Sequence, residues 1–583
     1  MGWTAQFWYV LIFGCTGMAL FGYDTGVVSG SLVMMDRDFQ LDNFRKEFAV
    51  SATVLFAAFG SVVGSPLNDR FGRRPVIASS AILYIAGALI IAFSARYEGF
   101  ISGRILLGIA IGFASGTVPL YAAELSPPTH RGMVVTLNDL NIGLGQLLAG
   151  VVNALVVNVE SGWRIAMGVA AVPALMMLVG VVFLLPESPR WLAMRGRRAE
   201  AEAIVRKVCG DAALADAEIA AIEASLAAEA GTPGCGGALR RLWGEASLRR
   251  AALLGIAMMA MNQFSGINTV MYYSATVLVG VGFSATDAVW MSAACCLAQV
   301  CGVVVSVLSM DRLGRRPTAL RSVVGVAITL CLLSACFAAD DPTADPSGLS
   351  MQQQIAVKRY EYPWHGSRYE YPWHQPPTRE HCERACHDAG WDGGTQSVDA
   401  CEMACRRDKV LAARSGEHED EQPRLLAEAR ARSDARDLDD GPRPMRALAV
   451  GSLMAYLIAF GSGLSGVPWV ISSEIYPTDV RSTAVGQNTL ANWLFNFAVA
   501  QTFLDLVDLL HAWGAFLVYA AFSIVGGVWM YFYLPETKQL SLEAIEGLFK
   551  DPYPAPMRGQ QQQAAADAKV EAKPKESSSL LPK

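Results

Sequence analysis

Twelve apolar runs, most of them long enough to cross a bilayer, constrain this chain more than any other feature. They lie near residues 7–32, 48–67, 76–95, 101–122, 133–158 and 164–185, then 251–280, 286–309, 318–338, 446–471, 483–510 and 513–534. A bilayer core takes roughly 20 apolar residues as helix, because inside it each backbone N–H and C=O needs a partner within the protein. Composition points the same way. The chain is 52% hydrophobic and 17% charged, whereas soluble domains carry about 25% charged residues. An all-α membrane protein with twelve transmembrane helices is therefore expected. The first run reads as a span rather than a cleavable leader, since it lacks a basic start and is interrupted by Tyr23-Asp24-Thr25. A net charge of −6 gives no electrostatic case for nucleic-acid binding. No GxxxxGK[ST] motif is present, which argues against ATP-driven transport, and nothing suggests a catalytic enzyme.

Two loops are near copies: Asp69-Arg70-Phe71-Gly72-Arg73-Arg74-Pro75 after span 2, and Asp311-Arg312-Leu313-Gly314-Arg315-Arg316-Pro317 after span 8. Clustered arginines in short loops mark the cytoplasmic side. The stretch 186–250 and the tail 536–583 are expected there too, and the connections after the odd-numbered spans outside. Asp69 precedes Glu124 by 55 residues and Asp311 precedes Glu474 by 163. The halves otherwise keep register, so one insertion of about 108 residues separates spans 9 and 10. The expected organisation is a six-helix bundle over 1–185, a linker over 186–250 with an Ala-rich amphipathic helix at 199–230, and a second bundle over 251–339 and 446–535. An exoplasmic insertion occupies 340–445. Two pseudo-symmetric bundles predict alternating access with a site between them.

The motifs GYDTGVVSG (22–30), DRFGRRP (69–75), GRILLG (103–108), PESPRWL (186–192) and PETKQLSLEAIE (535–546) resemble those of the sugar porter family of the major facilitator superfamily, in family order. The resemblance covers about 7–340 and 446–550. Within it, NQFSGINTVMYYS (262–274), VPWVISSEIYP (467–477) and Asn492-Trp493 are most similar to proton-coupled myo-inositol transporters. It implies secondary transport of a polyol or hexose with the proton as coupling ion and no cofactor. A facilitative uniporter and a non-transporting nutrient sensor are the competing expectations.

Asp24 lies deep in span 1, where an ionisable side chain is costly and functional by default. The resemblance pairs it with Arg104 for proton coupling, against a permanent structural ion pair. It also places Gln146, Asn262, Gln263, Asn268, Trp469 and Asn492 at a hydroxyl-binding site, where neutral amides both donate and accept. Interhelical bonding is the bland alternative for the amides, and an interfacial tryptophan for Trp469. Asn262 and Gln299 each exchange one amide for the other relative to the family pattern. Asp139 replaces an uncharged residue and lies seven residues before Gln146, on the same helical face and about 10 Å away. It is a second proton site, a substrate selector, or a carboxylate in a wet vestibule. Arg70, Arg73, Arg74, Glu124, Arg131 and Glu187 in one half, and Arg312, Arg315, Arg316, Glu474, Arg481 and Glu536 in the other, are expected to form a breakable cytoplasmic gate. Topogenic charge alone is the alternative.

In the insertion, Cys382, Cys386, Cys401 and Cys405 form two CX3C pairs. Disulfides suit an outer location, and zinc is the alternative. Arg359–His365 recurs as Arg368–His374, a binding patch or a simple duplication. Glu576 with Leu580 and Leu581 resembles a sorting signal for an adaptor, which leaves plasma membrane and vacuolar or endosomal membrane both open.

Overall fold

A computed structural model describes residues 16–39, 41–126, 131–209, 212–229, 235–281, 283–339, 444–538 and 542–550, together with Tyr9, Phe13 and Leu540. Cys382, Cys386, Cys401 and Cys405, the repeated Arg359–His365 segment, and Glu576, Leu580 and Leu581 lie outside the described residues.

Spans 1 to 5 are the helices Thr16–Phe39, Asn43–Phe71, Arg73–Phe93, Tyr97–Glu124 and Arg131–Val156. Span 6 runs through Gly162–Val169 and Ala171–Val179 into a π turn, Gly180–Leu184. Span 7 is broken into Ala246–Phe264 and Ile267–Gly280, and span 10 into Pro444–Gly461 and Val467–Glu474. Spans 8 and 9 are Ala285–Leu313 and Arg315–Ala339. Spans 11 and 12 form one continuous helical run, Thr478–Tyr533, whose path turns at His511 (φ 58°). Nine helices among the described residues are long and apolar enough to cross a membrane unaided. Counting the two broken helices and dividing the run at His511 yields the expected twelve.

Local chemistry sets the helix ends. Asp42 caps span 2 by accepting from the Arg45 amide (2.8 Å), and Ser284 caps span 8 through the Asp287 amide (3.0 Å). Each side chain satisfies an N–H left over in the first turn. Span 1 presents Gly22, Gly26 and Gly30 to span 5. A Cβ on Gly26 would meet the Gln146 carbonyl at 2.7 Å, and one on Gly30 the Asn153 amide at 2.7 Å. Small residues four apart let two helix backbones approach closely where lipid offers no hydrophobic drive for association. Asp24 lies on the opposite face of span 1, where Arg104 of span 4 meets it.

The expected amphipathic helix over 199–230 is two helices, Arg198–Cys209 and Ala212–Glu229, with Gly210 and Asp211 between them. Glycine is a poor interior helix residue. The first buries Ala201, Val205 and Val208 on one face. Two shorter helices, Pro189–Met194 and Cys235–Gly244, complete the linker. Past span 12, Leu542–Lys550 buries Ile545, Leu548 and Phe549, and Arg250 donates to the carbonyls of Phe549 and Lys550.

The twin loops fold alike. Gly72 and Gly314 end spans 2 and 8 at φ +99° and +98°, ψ 169°, a region open essentially to glycine alone. A Cβ at either position would also strike a carboxylate, Glu187 or Glu536. Gly72→Ala and Gly314→Ala are therefore each expected to destabilise the protein by about 1–3 kcal/mol. Thermal unfolding in detergent checks this, and the two variants should lose comparable midpoint temperature.

Candidate functional site

Asp24 and Arg104 are 5% and 1% exposed, and Arg104 Nη1 donates to Asp24 Oδ1 at 2.5 Å. The guanidinium spends its other donors on span 2: Nε on the Ala49 carbonyl (2.9 Å) and Nη2 on that of Val50 (3.3 Å). Arginine offers five donors in a fixed fork, so one side chain ties three helices at once. Around the pair, the Tyr23 hydroxyl donates to Ala166 O (2.7 Å) and that of Tyr84 to Leu20 O (2.9 Å), so span 1 is held on several sides.

Four of the expected amides meet in the second bundle. Gln263 Nε2 donates to Asn492 Oδ1 (2.7 Å) and to Asn262 Oδ1 (3.0 Å), while Asn268 Nδ2 donates to Gln263 Oε1 (2.5 Å). The break in span 7 makes this possible. Gly266 (φ +85°) turns the chain between the two helical pieces, which bring Asn262, Gln263 and Asn268 together. The two breaks also cap each other. Asn262 Nδ2 donates to the Leu464 carbonyl in the span 10 break (2.7 Å), and the Tyr456 hydroxyl to the Ser265 carbonyl in the span 7 break (2.9 Å). The amides thus serve as interhelical bonds, and this set is also shaped for hydroxyl groups.

Other expected residues sit differently. Gln146 and Gln299 are buried, and the Oε1 of each has no hydrogen-bond partner among the described residues. Trp469 is half-buried in the second piece of span 10. Asp139 is half-buried, and no cation among the described residues lies within ion-pair reach of it. Its carboxylate abuts Gly466 at the span 10 break, where a Cβ would come to 2.9 Å of Oδ2. It therefore crosses from the first bundle to the second.

Three residues absent from the expected set join it. Trp493 is buried with its Nε1 unpartnered, and its ring meets Phe21 of span 1 edge-on at 5.3 Å. Asn488 and Asn496 flank Asn492 at four-residue spacing. Asn488 donates to Ser472 Oγ and Tyr476 OH, and Asn496 to Tyr272 OH, each with a buried Oδ1 left unpaired. The period-four asparagines on an apolar helix were a readable signal.

The arginine loops differ from a simple network of side-chain pairs. Arg73 Nε meets Glu124 at 3.0 Å and Arg315 Nη2 meets Glu474 at 2.9 Å. Glu187 and Glu536 instead accept from backbone amides, those of Arg73 and Arg74 (3.0 and 3.3 Å) and of Arg315 and Arg316 (3.0 and 3.1 Å). Each caps the start of a helix, where free N–H groups favour an anion. Burial pushes Glu187 above the ordinary glutamate range, against the backbone donors and the Arg73 charge. Arg74 and Arg316 donate to the ends of spans 6 and 12, through the Val181 and Tyr531 carbonyls. Arg481 donates to the Tyr476 carbonyl. Among the described residues Arg70 and Arg312 pair with no carboxylate, and the Arg131 side chain lies outside the description. These contacts hold each half to itself rather than one half to the other.

Bonds between the halves cluster at the end away from the arginine loops. Ser29 meets Ser274 (2.9 Å), Thr286 donates to Asn158 (3.1 Å), Asn43 to Asp508 (2.7 Å) and Ser51 to Gln501 (2.6 Å).

Two like bundles, a buried charge pair in one and a line of amides in the other define a multi-pass membrane transporter, not an enzyme. Residues 10–351 and 435–549 match the family described as "Sugar (and other) transporter", and the chain belongs to that family. It is 34% identical over 564 residues to the human proton myo-inositol cotransporter, covering 94% of this chain and 82% of that protein. It is 33% identical to the probable inositol transporter 3 of Arabidopsis thaliana, covering 92% and 90%. In fold it is similar to the xylose transporter of Escherichia coli in a partially occluded inward-open conformation. That match has a TM-score of 0.66 at 23% identity and covers 92% of this chain and 100% of that one.

Removing one member of the buried pair strands the other charge. Arg104→Leu is expected to cost about 3–5 kcal/mol. Adding Asp24→Asn should restore a good part of this loss. Thermal unfolding of the single and double variants reads the coupling, which an independent pair of sites would not show.

Proposed function

We propose that this protein is a proton-coupled symporter of myo-inositol or a closely related polyol or hexose, working by alternating access. The observation that carries the reading is the buried Asp24–Arg104 pair, whose charge balance a single proton changes. It is joined by a neutral amide line suited to hydroxyls. Both inositol relatives reported above bear names that point to the same substrate.

In this reading Asp24 takes the proton. Once neutral, it holds Arg104 less strongly, and substrate and proton together favour the state that binds both. Gln263, Asn262, Asn268 and Asn492 exchange their mutual bonds for bonds to ring hydroxyls, while Gln146 and Gln299 supply acceptors that the protein itself leaves unused. Trp469 and Trp493 offer apolar faces to the C–H side of the ring, and Asp139 offers a carboxylate acceptor on the way to the arginine loops. Those loops face the cytoplasm and brace each bundle as it moves. The tail signal at Glu576, Leu580 and Leu581 directs the protein to its membrane through a sorting adaptor.

Oocyte recordings test the reading. Inositol isomers and hexoses are applied at acidic and neutral outer pH. An inward current that grows with outer acidity is expected, largest for a cyclitol. Surface-expressed protein that takes up labelled substrate without current is a uniporter, and protein that does neither is not a transporter of these compounds. Asp24→Asn is expected to abolish the current while leaving exchange of labelled for unlabelled substrate measurable. Gln263→Ala, which removes the hub of the amide line, should raise KM by roughly tenfold or more, the value of one to two lost hydrogen bonds.

A further inference from the structure

Glu47 was not singled out by its sequence context, Phe44-Arg45-Lys46-Glu47-Phe48, which reads as the polar start of a helix. In the fold it is fully buried, at 0% exposure, in span 2 at the end away from the arginine loops. Its carboxylate reaches across to span 11 of the other bundle. Oε1 accepts from the backbone amides of Leu504 (2.7 Å) and Asp505 (3.2 Å), and Oε2 from Gln501 Nε2 (3.4 Å). Leu504 and Asp505 lie inside a helix, where an N–H ordinarily donates to the carbonyl four residues back. Here both amides also reach Glu47, and the carbonyl of Ala500 also accepts from the Tyr273 hydroxyl (2.9 Å). One turn of span 11 is thus shared between a tyrosine of its own bundle and a carboxylate of the opposite one.

The contact repeats along both helices. Asn43, Glu47 and Ser51 stand one turn apart on span 2, and they bond Asp508, Leu504 with Asp505, and Gln501 on span 11. Charged hydrogen bonds are the strong members of such a series, and Glu47 sits at its centre.

The same helix carries the other end of the connection. Arg104, which holds Asp24, also holds the carbonyls of Ala49 and Val50, the second and third residues after Glu47. A continuous path therefore runs from Asp24 through Arg104 to the span 2 backbone, and from there through Glu47 to the span 11 backbone. We propose that Glu47 is the positioning residue that transmits the state of the Asp24–Arg104 pair to the gate between spans 2 and 11. When Asp24 is ionised, Arg104 is pinned and span 2 stays where Glu47 reaches the Leu504 and Asp505 amides. When Asp24 is neutral, Arg104 has one fewer anchor, span 2 shifts, and Glu47 lets go of Leu504 and Asp505. This rests on the proton-coupled reading above for what neutralises Asp24, but not for the mechanical link itself.

Hydrogen exchange followed by mass spectrometry on the full-length protein in nanodiscs reads the gate directly, because the amides of Leu504 and Asp505 are the ones Glu47 protects. Four proteins are compared: wild type, Asp24→Asn, Glu47→Gln and the double variant. Peptides spanning 498–510 are monitored, with 73–93 as the control for intact folding. Asp24→Asn, which mimics protonated Asp24, should speed exchange in 498–510 by about tenfold, a shift of about one RT ln 10 in the opening equilibrium. Glu47→Gln should do so at least as strongly, and adding Asp24→Asn to it should change little further. Gln501→Ala, which removes the amide bracing Glu47, replaces Glu47→Gln if that variant does not express, with the same non-additivity expected.

An Asp24→Asn effect of the same size with and without Glu47 overturns the proposal, as does no effect of Asp24→Asn on these peptides. Oocyte currents on the same variants keep the two readings apart. Absent proton current with non-additive exchange sinks the symport reading and leaves the Glu47 link standing, whereas normal current with additive exchange does the reverse.

Discussion

Inside hydrocarbon a backbone polar group has no water to turn to, and leaving one unpaired costs several kcal/mol. The architecture follows from how that constraint is met where helices are interrupted. Spans 7 and 10 both break near their middles, and each break is closed by a side chain from the other. Asn262 reaches Leu464, and Tyr456 reaches Ser265. The bundle is then committed to having amides and a tyrosine at its centre. Asn262, which holds the span 10 break, is also one of the amides proposed to meet a polyhydroxylated ligand. A closed, apolar bundle of unbroken helices would have no such place.

The halves are matched at the arginine loops and diverge at the centre. Gly72 and Gly314, Glu187 and Glu536, and the pairs Arg73–Glu124 and Arg315–Glu474 play matching roles. Deeper in the membrane the first half carries Asp24 and Arg104 and the second carries Gln263, Asn268 and Asn492. A proton needs an ionisable acceptor, whereas a neutral hydroxylated substrate is held well by neutral amides. In the proposed reading the proton acceptor lies in one bundle and most of the substrate amides in the other, so joint occupancy bears on how the halves meet.

The apolar runs locate the helices but fall short of several ends by four or five residues, as at span 2, expected over 48–67 and formed over Asn43–Phe71. Span 1, expected to end near 32, continues to Phe39, because the polar residues near its end have partners. Asp36 pairs with Lys46 at 3.2 Å and Asp38 with Arg164 at 3.2 Å. Asp24, Arg104 and the span 7 amides were legible because their types are rare in lipid and their motifs resemble a family. Glu47 was not. Its burial depends on Gln501 and on the Leu504 and Asp505 amides, over 450 positions away, and a window of sequence carries no sign of that. The loop carboxylates illustrate the same limit. Sequence shows that Glu187 lies near arginines in the fold of the family, but not that backbone amides take it before their side chains do.

Among the described residues the polar bonds between the halves are few, and they lie beside an apolar cluster of Ala154, Val157, Ala275 and Val289. Each neutral hydrogen bond across Ser29–Ser274, Ser51–Gln501 or Asn158–Thr286 is worth only about 0.5–1.5 kcal/mol net. The charged ones at Glu47 and Asp508 are worth somewhat more, roughly 1.5–3 kcal/mol each. Moving a two-state equilibrium from one side to the other takes about 5.5 kcal/mol of differential binding. The polar part of this seam is therefore within reach of one proton and one substrate acting together. The charged members matter most because they alone contribute enough for a change at one residue to tip the balance.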